Sequence, residues 1–199
     1  MFIWSTGNNL LLGSMLALLF AAMGIGGWWL DREARHKQAW HKQAWILRQS
    51  GRSPSDFVAQ AGIGPGLFNM GPTGTIGTAY VLAVGSDLNG PTIGAILTIL
   101  TIVGFSAYGK HAKNIVPIMA GVFIASMLKD WSANDASAVL AALFGTTLAP
   151  IAGRFGWRWG IVAGFVHSSV AQTVGQLHGG LVLHNNGFAA DWWRPSWCR

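Results

Sequence analysis

The sequence predicts an all-α integral membrane protein with about six transmembrane helices, in which helices are broken or re-entrant at two motifs rich in glycine and asparagine. Three observations lead to this fold class. The 199 residues are 51% apolar and only 10% charged, whereas soluble domains carry about 25% charged residues. Glycine is frequent, with 27 residues, as it is in membrane helices. Several uncharged runs approach the roughly 20 residues that cross a bilayer.

The first transmembrane helix is predicted within residues 1–30. The run from Leu10 to Leu30 contains no charged side chain and is long enough to span. Trp28 and Trp29 near its end suit the membrane interface. A cleaved signal peptide is the alternative, but signal peptides begin with basic residues, and none precedes this run.

Residues 31–56 form an extended polar segment, predicted to be a basic cytoplasmic loop. The pentapeptide His-Lys-Gln-Ala-Trp occurs twice in tandem, at 36–40 and 41–45, which favours a helix whose tryptophans enter the headgroup layer. His36 and His41 are five positions apart, so they do not share a helical face, and no metal site is predicted. The basic residues of the segment are Arg32, Arg35, Lys37, Lys42, Arg48 and Arg52.

Residues 57–190 are predicted to form a multi-pass membrane domain that opens with a glycine-rich motif. This first motif extends from Gly62 to Gly74. The apolar run from Phe57 to Leu67 is too short to span. We therefore predict a re-entrant half-helix, a loop from Phe68 to Gly74, and a helix that resumes and continues to Val84.

The later spans follow from four apolar runs, at 91–108, 115–128, 136–153 and 159–177. The third run is interrupted by Gly145-Thr146-Thr147 and by Pro150, so its helix is predicted to be broken there. Residues 191–199 are predicted to be an interfacial tail rather than a further span. Charged residues oppose insertion, and this tail contains Asp191, Arg194 and Pro195.

The loop charges predict the orientation of these spans. If each run crosses once, the loops 31–56, 109–113 and 154–158 lie on one side and contain most of the basic residues. The opposite loops, 86–90 and 129–135, contain only Lys129 as a basic residue. The positive-inside rule makes the basic side cytoplasmic. Because the basic residues lie in loops between spans, a nucleic-acid partner is not predicted.

Several motifs resemble those of a bacterial multi-pass membrane family catalogued as domain of unknown function 1576. The motifs that carry the likeness are Gly64-Pro65-Gly66-Leu67-Phe68-Asn69-Met70-Gly71, Asp87-Leu88-Asn89-Gly90-Pro91, Tyr108-Gly109-Lys110-His111, Phe144-Gly145-Thr146-Thr147-Leu148-Ala149-Pro150, Leu177-His178-Gly179-Gly180 and Asn185-Asn186-Gly187-Phe188. The likeness covers roughly residues 55–190 and implies the C-terminal half of a longer member in the bacterial cytoplasmic membrane. After Ala190 the chain departs from the family pattern. The resemblance implies no catalytic residue and no substrate.

The two asparagine–glycine motifs are the first candidate binding sites. A helix interrupted at membrane depth exposes backbone groups, which are tolerated only inside protein or along a wet cavity. Transporters bind solutes and ions at such interruptions. The alternative is a tight helix crossing that requires glycine. The candidate residues are Asn69, Met70 and Gly71 in the first motif, and Asn185, Asn186 and Gly187 in the second.

The last span contains a second group of candidates. His167 and His178 are eleven positions apart, about three helical turns, so they share one face. With Gln172 they form a polar stripe that predicts a solute or ion pathway, since ionisable groups within spans are usually functional. Hydrogen bonding between helices is the alternative interpretation.

The predicted function is therefore a transporter- or channel-like membrane protein for a small solute. A non-transporting scaffold or assembly subunit is the alternative. The motifs His-Glu-x-x-His, the Walker loop and Gly-x-Ser-x-Gly are absent from the sequence, so no enzymatic activity, catalytic residue, metal or cofactor is predicted. The predicted partners are the lipid bilayer and either a second copy or a missing N-terminal half, because the second motif lacks a following helix.

Overall fold

The computed structural model describes residues 9–34, 39–52, 55–86, 88 and 93–177, and within these ranges all regular secondary structure is helical. The all-α class is thus confirmed. The helices are α1 (Asn9–Ala34), α2 (Ala39–Ile46), α3 (Phe57–Ala61), α4 (Ile63–Ala83), α5 (Ile93–Phe105), α6 (Ala112–Leu128), α7 (Ala136–Gly145), a 3-10 turn (Thr146–Leu148), α8 (Ala149–Phe155) and α9 (Trp157–Leu177).

Two helical stretches are long and apolar enough to cross a membrane. They are Asn9–Asp31, with 23 residues, and Ala136–Phe155, with 20 residues, which combines α7, the 3-10 turn and α8. The apolar helices at Ala95–Phe105 and Ala112–Leu128 are shorter. Length and composition therefore identify two candidate spans in the described part of the chain, and the predicted number of about six is not confirmed.

Glycines bring the backbones of α1 and α4 into contact. A Cβ atom added at Gly71 would lie 2.7 Å from the carbonyl oxygen of Phe20 and 2.9 Å from the Cα of Gly24. A Cβ at Gly64 would lie 2.9 Å from the carbonyl oxygen of Gly27. Real side chains do not tolerate such distances, so these glycines are required for the close packing of the two helices.

A second close contact joins α6 to α9. A side chain at Gly121 would collide with the carbonyl of Ile161, and one at Gly164 would collide with the carbonyl of Ile118. The same helices also enclose α7 and α8. The largest buried apolar cluster connects α1, α4, α5, α6 and α7, through residues that include Phe20, Val81, Ile99, Ile115 and Leu143.

The turn between α5 and α6, where a short basic loop was predicted, is buried except for Tyr108. We refer to Ser106–His111 as the buried turn. Lys110 is 8% exposed and His111 is 1% exposed. Residues 47–52, which we call the covering segment, lie over this turn. Gly51 meets Gly109 backbone to backbone, and the ring Nε2 of His111 lies 3.0 Å from the carbonyl oxygen of Gln49.

The predicted loop at Phe68–Gly74 is wrong, because α4 continues through it as helix from Ile63 to Ala83. Pro72 removes the helical hydrogen bond to the Phe68 carbonyl, and the helix nevertheless continues. The Thr73 hydroxyl oxygen lies 3.0 and 2.9 Å from the Asn69 and Met70 carbonyl oxygens. The chain breaks earlier, at Gly62, whose φ of 104° separates α3 from α4.

Candidate functional site

The candidate site lies where the second candidate span is interrupted. Helix α7 ends at Gly145, three residues form a 3-10 turn, and α8 begins at Ala149, so the predicted break is a change to 3-10 geometry within one helical stretch. Pro150 stands in the first turn of α8, where its missing N–H costs no helical bond. A 3-10 segment inside an apolar helix often marks a functional site or a strained sequence. We call Gly145–Leu148 the interruption.

Lys110 extends from the buried turn to the interruption. Its Nζ donates a hydrogen bond of 2.9 Å to the Thr146 hydroxyl oxygen. That hydroxyl in turn donates to the Leu143 carbonyl oxygen at 2.6 Å. The ammonium also lies 5.2 Å from the centre of the Phe105 ring. The cation therefore sits at the C-terminal end of α7, where the helix dipole favours positive charge.

Burial lowers the pKa of Lys110 to about 8. The cause is desolvation, which disfavours the charged form of an amine. The pKa of the neighbouring His111 is also lowered, mainly by burial and additionally by the charge of Lys113, while the hydrogen bond with the Gln49 carbonyl opposes the shift. Lys110 can therefore gain or lose its proton close to neutral pH, which an exposed lysine does not do.

Asn69 holds the buried turn in place. Its side-chain Nδ2 donates to the Ser106 carbonyl oxygen at 2.9 Å and to the Lys110 carbonyl oxygen at 2.8 Å. One turn further along α4, the Thr73 hydroxyl donates to the Ser106 hydroxyl at 2.9 Å. Both donors of the Asn69 amide are thus used within the protein. This residue therefore holds the backbone that carries Lys110.

His167 of α9 packs on the other side of the interruption. Its ring is fully buried, and a Cβ added at Gly145 would lie 3.0 Å from its Cδ2 and 3.4 Å from its Nε2. The absence of a side chain at Gly145 lets the imidazole approach α7. Two ionisable side chains therefore contact neighbouring residues of the interruption: His167 packs against Gly145, and Lys110 binds Thr146.

Two further polar side chains of α9, Ser168 and Gln172, lie close to His167 in sequence. Ser168 Oγ and Gln172 Nε2 are buried and have no hydrogen-bond partner within the part of the chain that the structure describes. They are one helical turn apart on α9. Buried polar atoms without a protein partner usually bind water or a ligand. The predicted polar stripe is therefore largely buried from His167 to Gln172.

An apolar groove of about 590 Å³ runs along the α1–α4 contact. Gly71 contributes to its wall, together with Phe20, Gly24, Trp28 and Phe68. Met70, by contrast, is partly buried against the main apolar cluster. Gly71 and Met70 therefore have packing roles in α4, and neither touches the interruption in any contact described above. The groove has few polar atoms and does not form a wet path.

The sequence prediction and the structure agree only in part on the site. His167 lies next to the interruption, Asn69 contacts the buried turn that carries Lys110, and Gln172 lies on the same helix as His167. His178, Asn185, Asn186 and Gly187 lie outside the described residues. Lys110 and Thr146 were missed as site residues. The sequence did contain a signal, because Lys110 and Thr146 each lie in one of the motifs shared with the family. Lys110 was interpreted only as a loop charge that sets the orientation of the spans.

These observations define an all-helical protein with two candidate membrane spans, one of them interrupted beside two buried ionisable groups. The chain belongs to the family described as protein of unknown function (DUF1576), whose sequence model matches residues 35–192. This match confirms the resemblance noted in the sequence, and it includes Asn69, Lys110, Thr146 and His167. No curated protein and no solved structure matches the chain significantly.

Proposed function

We propose that this protein is a transporter- or channel-like membrane protein for a small solute, with the solute passing at the interruption. The observation that carries the proposal is the broken span Ala136–Phe155, whose 3-10 turn contacts Lys110 and His167. Interrupted membrane helices supply free backbone groups that bind solutes and ions. Ionisable groups buried beside a span are costly and are usually kept for function.

We also propose that the protein lies in the bacterial cytoplasmic membrane and crosses it about six times. Residues 31–56 would face the cytoplasm together with the other basic loops. Support comes from contacts among these parts: Gly51 meets Gly109, and a side chain at Gly153 would collide with the carbonyl of Ser50. All three segments therefore lie at one end of the helices, as one cytoplasmic surface requires.

The proposed partners are the bilayer and either another copy of the chain or a preceding N-terminal half, and not nucleic acid. Support for the bilayer comes from α1, whose apolar side chains are largely exposed: Leu10 is 81% exposed, Leu18 71% and Ile25 66%. Such a surface is stable when it faces lipid or another apolar helix. No catalytic step forms part of the proposal.

A membrane scaffold or assembly subunit is the second candidate function. The specific observation that favours it is Asn69, whose amide donors are both used to brace the buried turn. Gly71 likewise serves the α1–α4 contact. In these contacts the first predicted motif braces and packs helices, as a scaffold requires. The two candidates differ at the interruption, which must be reached by water in a transporter and can be sealed in a scaffold.

Cysteine accessibility separates the two candidates. Cys198 is the only cysteine of the chain, so a Cys198→Ser background removes all native thiols. Thr146→Cys places a thiol at the interruption. For a transporter, we expect a small water-soluble thiol reagent to modify this cysteine in native membranes, because water must reach the site during the transport cycle.

Ala142→Cys is the matched control, since Ala142 lies on the same helix, one turn earlier, and is fully buried in an apolar cluster. It should react much more slowly than Thr146→Cys. Equal protection of both cysteines against the reagent, in a folded protein, would reject the transport proposal and favour the scaffold.

A further inference from the structure

We propose that the solute bound at the interruption is a small anion, and that the Lys110 ammonium supplies its counter-charge. This inference rests on the proposed function, because it names the solute class of the same site. It follows from the hydrogen-bonding capacity of Lys110, from the signs of the charges around it, and from its burial.

The Lys110 ammonium has unused hydrogen-bond donors. A lysine ammonium carries three N–H donors. Among the described residues, the acceptor of Lys110 is the Thr146 hydroxyl at 2.9 Å. The Phe105 ring at 5.2 Å contributes only a cation–π contact. Two N–H donors are therefore left for a ligand, and these donors are matched by the oxygen atoms of a carboxylate or phosphate.

The ionisable groups on the elements around Lys110 are mostly bases. His111 stands at the start of α6, and His167 faces the interruption from α9. The covering segment adds Arg48 and Arg52, and α8 adds Arg154. Bases gathered at this end of the helices attract anions and repel cations.

The acidic side chains that the structure describes bind other groups or lie in an exposed turn. Asp31 forms an ion pair with Lys42 at 2.9 Å. Asp56 caps α3 by accepting the N–H of Ala59 at 2.9 Å. Asp135 accepts the N–H of Ser132 at 2.9 Å in the turn before α7, and Asp130 lies in that same exposed turn. Within the described ranges, Lys110 thus forms no ion pair with a carboxylate.

Burial then couples anion binding to the proton on Lys110. An ammonium buried without a counter-charge is costly, and an anion placed next to it offsets part of that cost. The bound anion in turn favours the protonated amine. The site should therefore take up the anion together with a proton and release both when Lys110 is deprotonated.

Thermal unfolding of the purified full chain in detergent tests this inference. The protein is titrated separately with acetate, inorganic phosphate and chloride at about pH 7 and about pH 9.5, on either side of the Lys110 transition. We expect at least one of these anions to raise Tm by on the order of 2 °C at the lower pH, as ligand binding to the folded state does. We expect no such rise at the higher pH.

Two variants complete the test. Lys110→Met should abolish the anion-dependent rise in Tm, whereas Lys113→Met should keep it, because Lys113 is exposed. Since general salt effects act on all variants alike, an equal response of the wild type and Lys110→Met would overturn the inference. If Lys110→Met does not fold, the wild type decides alone, and an anion response that is the same at both pH values, or absent at both, would also overturn it.

The anion titration and the cysteine labelling at the interruption can fail independently of each other. A reactive Thr146→Cys together with no anion response would leave a transport path for a different solute class and reject only the anion. A protected Thr146→Cys would reject transport, whatever the anion response.

Discussion

At the scale of single residues, Lys110 is the most informative position of the chain. Its side chain is buried, its hydrogen-bond acceptor is the neutral Thr146 hydroxyl, and burial lowers its pKa from 10.5 to about 8. A lysine that titrates near neutral pH has a protonation state that a solute or a change of pH can switch. The pKa shift also has a direct consequence for stability.

The free energy of unfolding should rise with pH between about 8 and 10.5 because of Lys110. In this window the folded state has released the Lys110 proton, whereas the unfolded state still holds it, so raising the pH favours the folded state. The full change is about 3 kcal/mol. Chemical denaturation at a series of pH values measures it. Lys110→Met should remove this contribution and Lys113→Met should not; identical slopes in all three proteins would contradict the buried position of Lys110.

Asn69 shows how a predicted binding residue acquires a structural role. Its amide was expected to face a solute in a loop, but it donates to two backbone carbonyls, 37 and 41 positions away in the chain. These bonds satisfy carbonyls of the buried turn that would otherwise be left without a partner at a cost of about 1–3 kcal/mol each. Asn69 therefore positions Lys110 from a different helix.

At the scale of elements, the contact between α1 and α4 depends on the first glycine-rich motif. The motif was expected to break α4, but its glycines give α4 a smooth face on which α1 lies. Close packing of two backbones over several glycines is a common way to associate membrane helices. The helix continues through Pro72 even though the proline removes one of its hydrogen bonds.

Gly71→Leu should destabilise the fold by about 1–3 kcal/mol, because the new side chain would collide with the α1 backbone. A Cβ at this position would lie 2.7 Å from the Phe20 carbonyl oxygen. Gly104→Leu is the matched control, since nothing lies within 4 Å of a Cβ added there. Thermal unfolding in detergent compares the two. If Gly71→Leu unfolds at the wild-type temperature, α1 does not pack on α4 in this way.

At the scale of the whole molecule, the covering segment, the buried turn and α8 meet at one end of the helices. The N–H of Phe57 donates to the Ala107 carbonyl oxygen at 2.8 Å, which ties the polar segment to the turn. The loops with the most basic residues are therefore neighbours in space. The side of the membrane that they face stays a prediction from the positive-inside rule.

Cysteines at the two ends of α6 should be labelled from opposite sides of the membrane. Tyr108 precedes α6 and is 61% exposed, and Ser132 lies in the exposed turn that follows it. In the Cys198→Ser background, an impermeant maleimide should reach Ser132→Cys in intact cells and Tyr108→Cys only in inverted vesicles. With its 17 residues, α6 is about 25 Å long and needs local thinning of the bilayer to cross.

Labelling of both cysteines from the same side would show that α6 does not cross. Labelling of Tyr108→Cys in intact cells and of Ser132→Cys in inverted vesicles would show a crossing of opposite orientation, and the prediction of a cytoplasmic basic segment would then be wrong. A membrane-permeant maleimide that labels both cysteines serves as the control for folding and expression.

The sequence by itself determined the features that depend on local composition. Few charges, many glycines and long apolar runs predicted an all-α fold. Gly145-Thr146-Thr147 with Pro150 predicted the interruption, since glycine and threonine have low helix propensity and proline disturbs the turn before it. The family likeness also lay in short motifs. In each case the prediction depends on interactions between residues that are only a few positions apart in the chain.

Only the tertiary structure decided how the site is assembled. Lys110 and Thr146 are 36 positions apart, and no local pattern states that they meet. Similarly, the glycines of α4 were compatible with a loop or with close packing, and the presence of α1 against them selected the helix. Local propensity does not decide between a loop and a packed helix, because the free energies of the two are close. Long-range packing, including the burial of Lys110 beside the interruption, then decides.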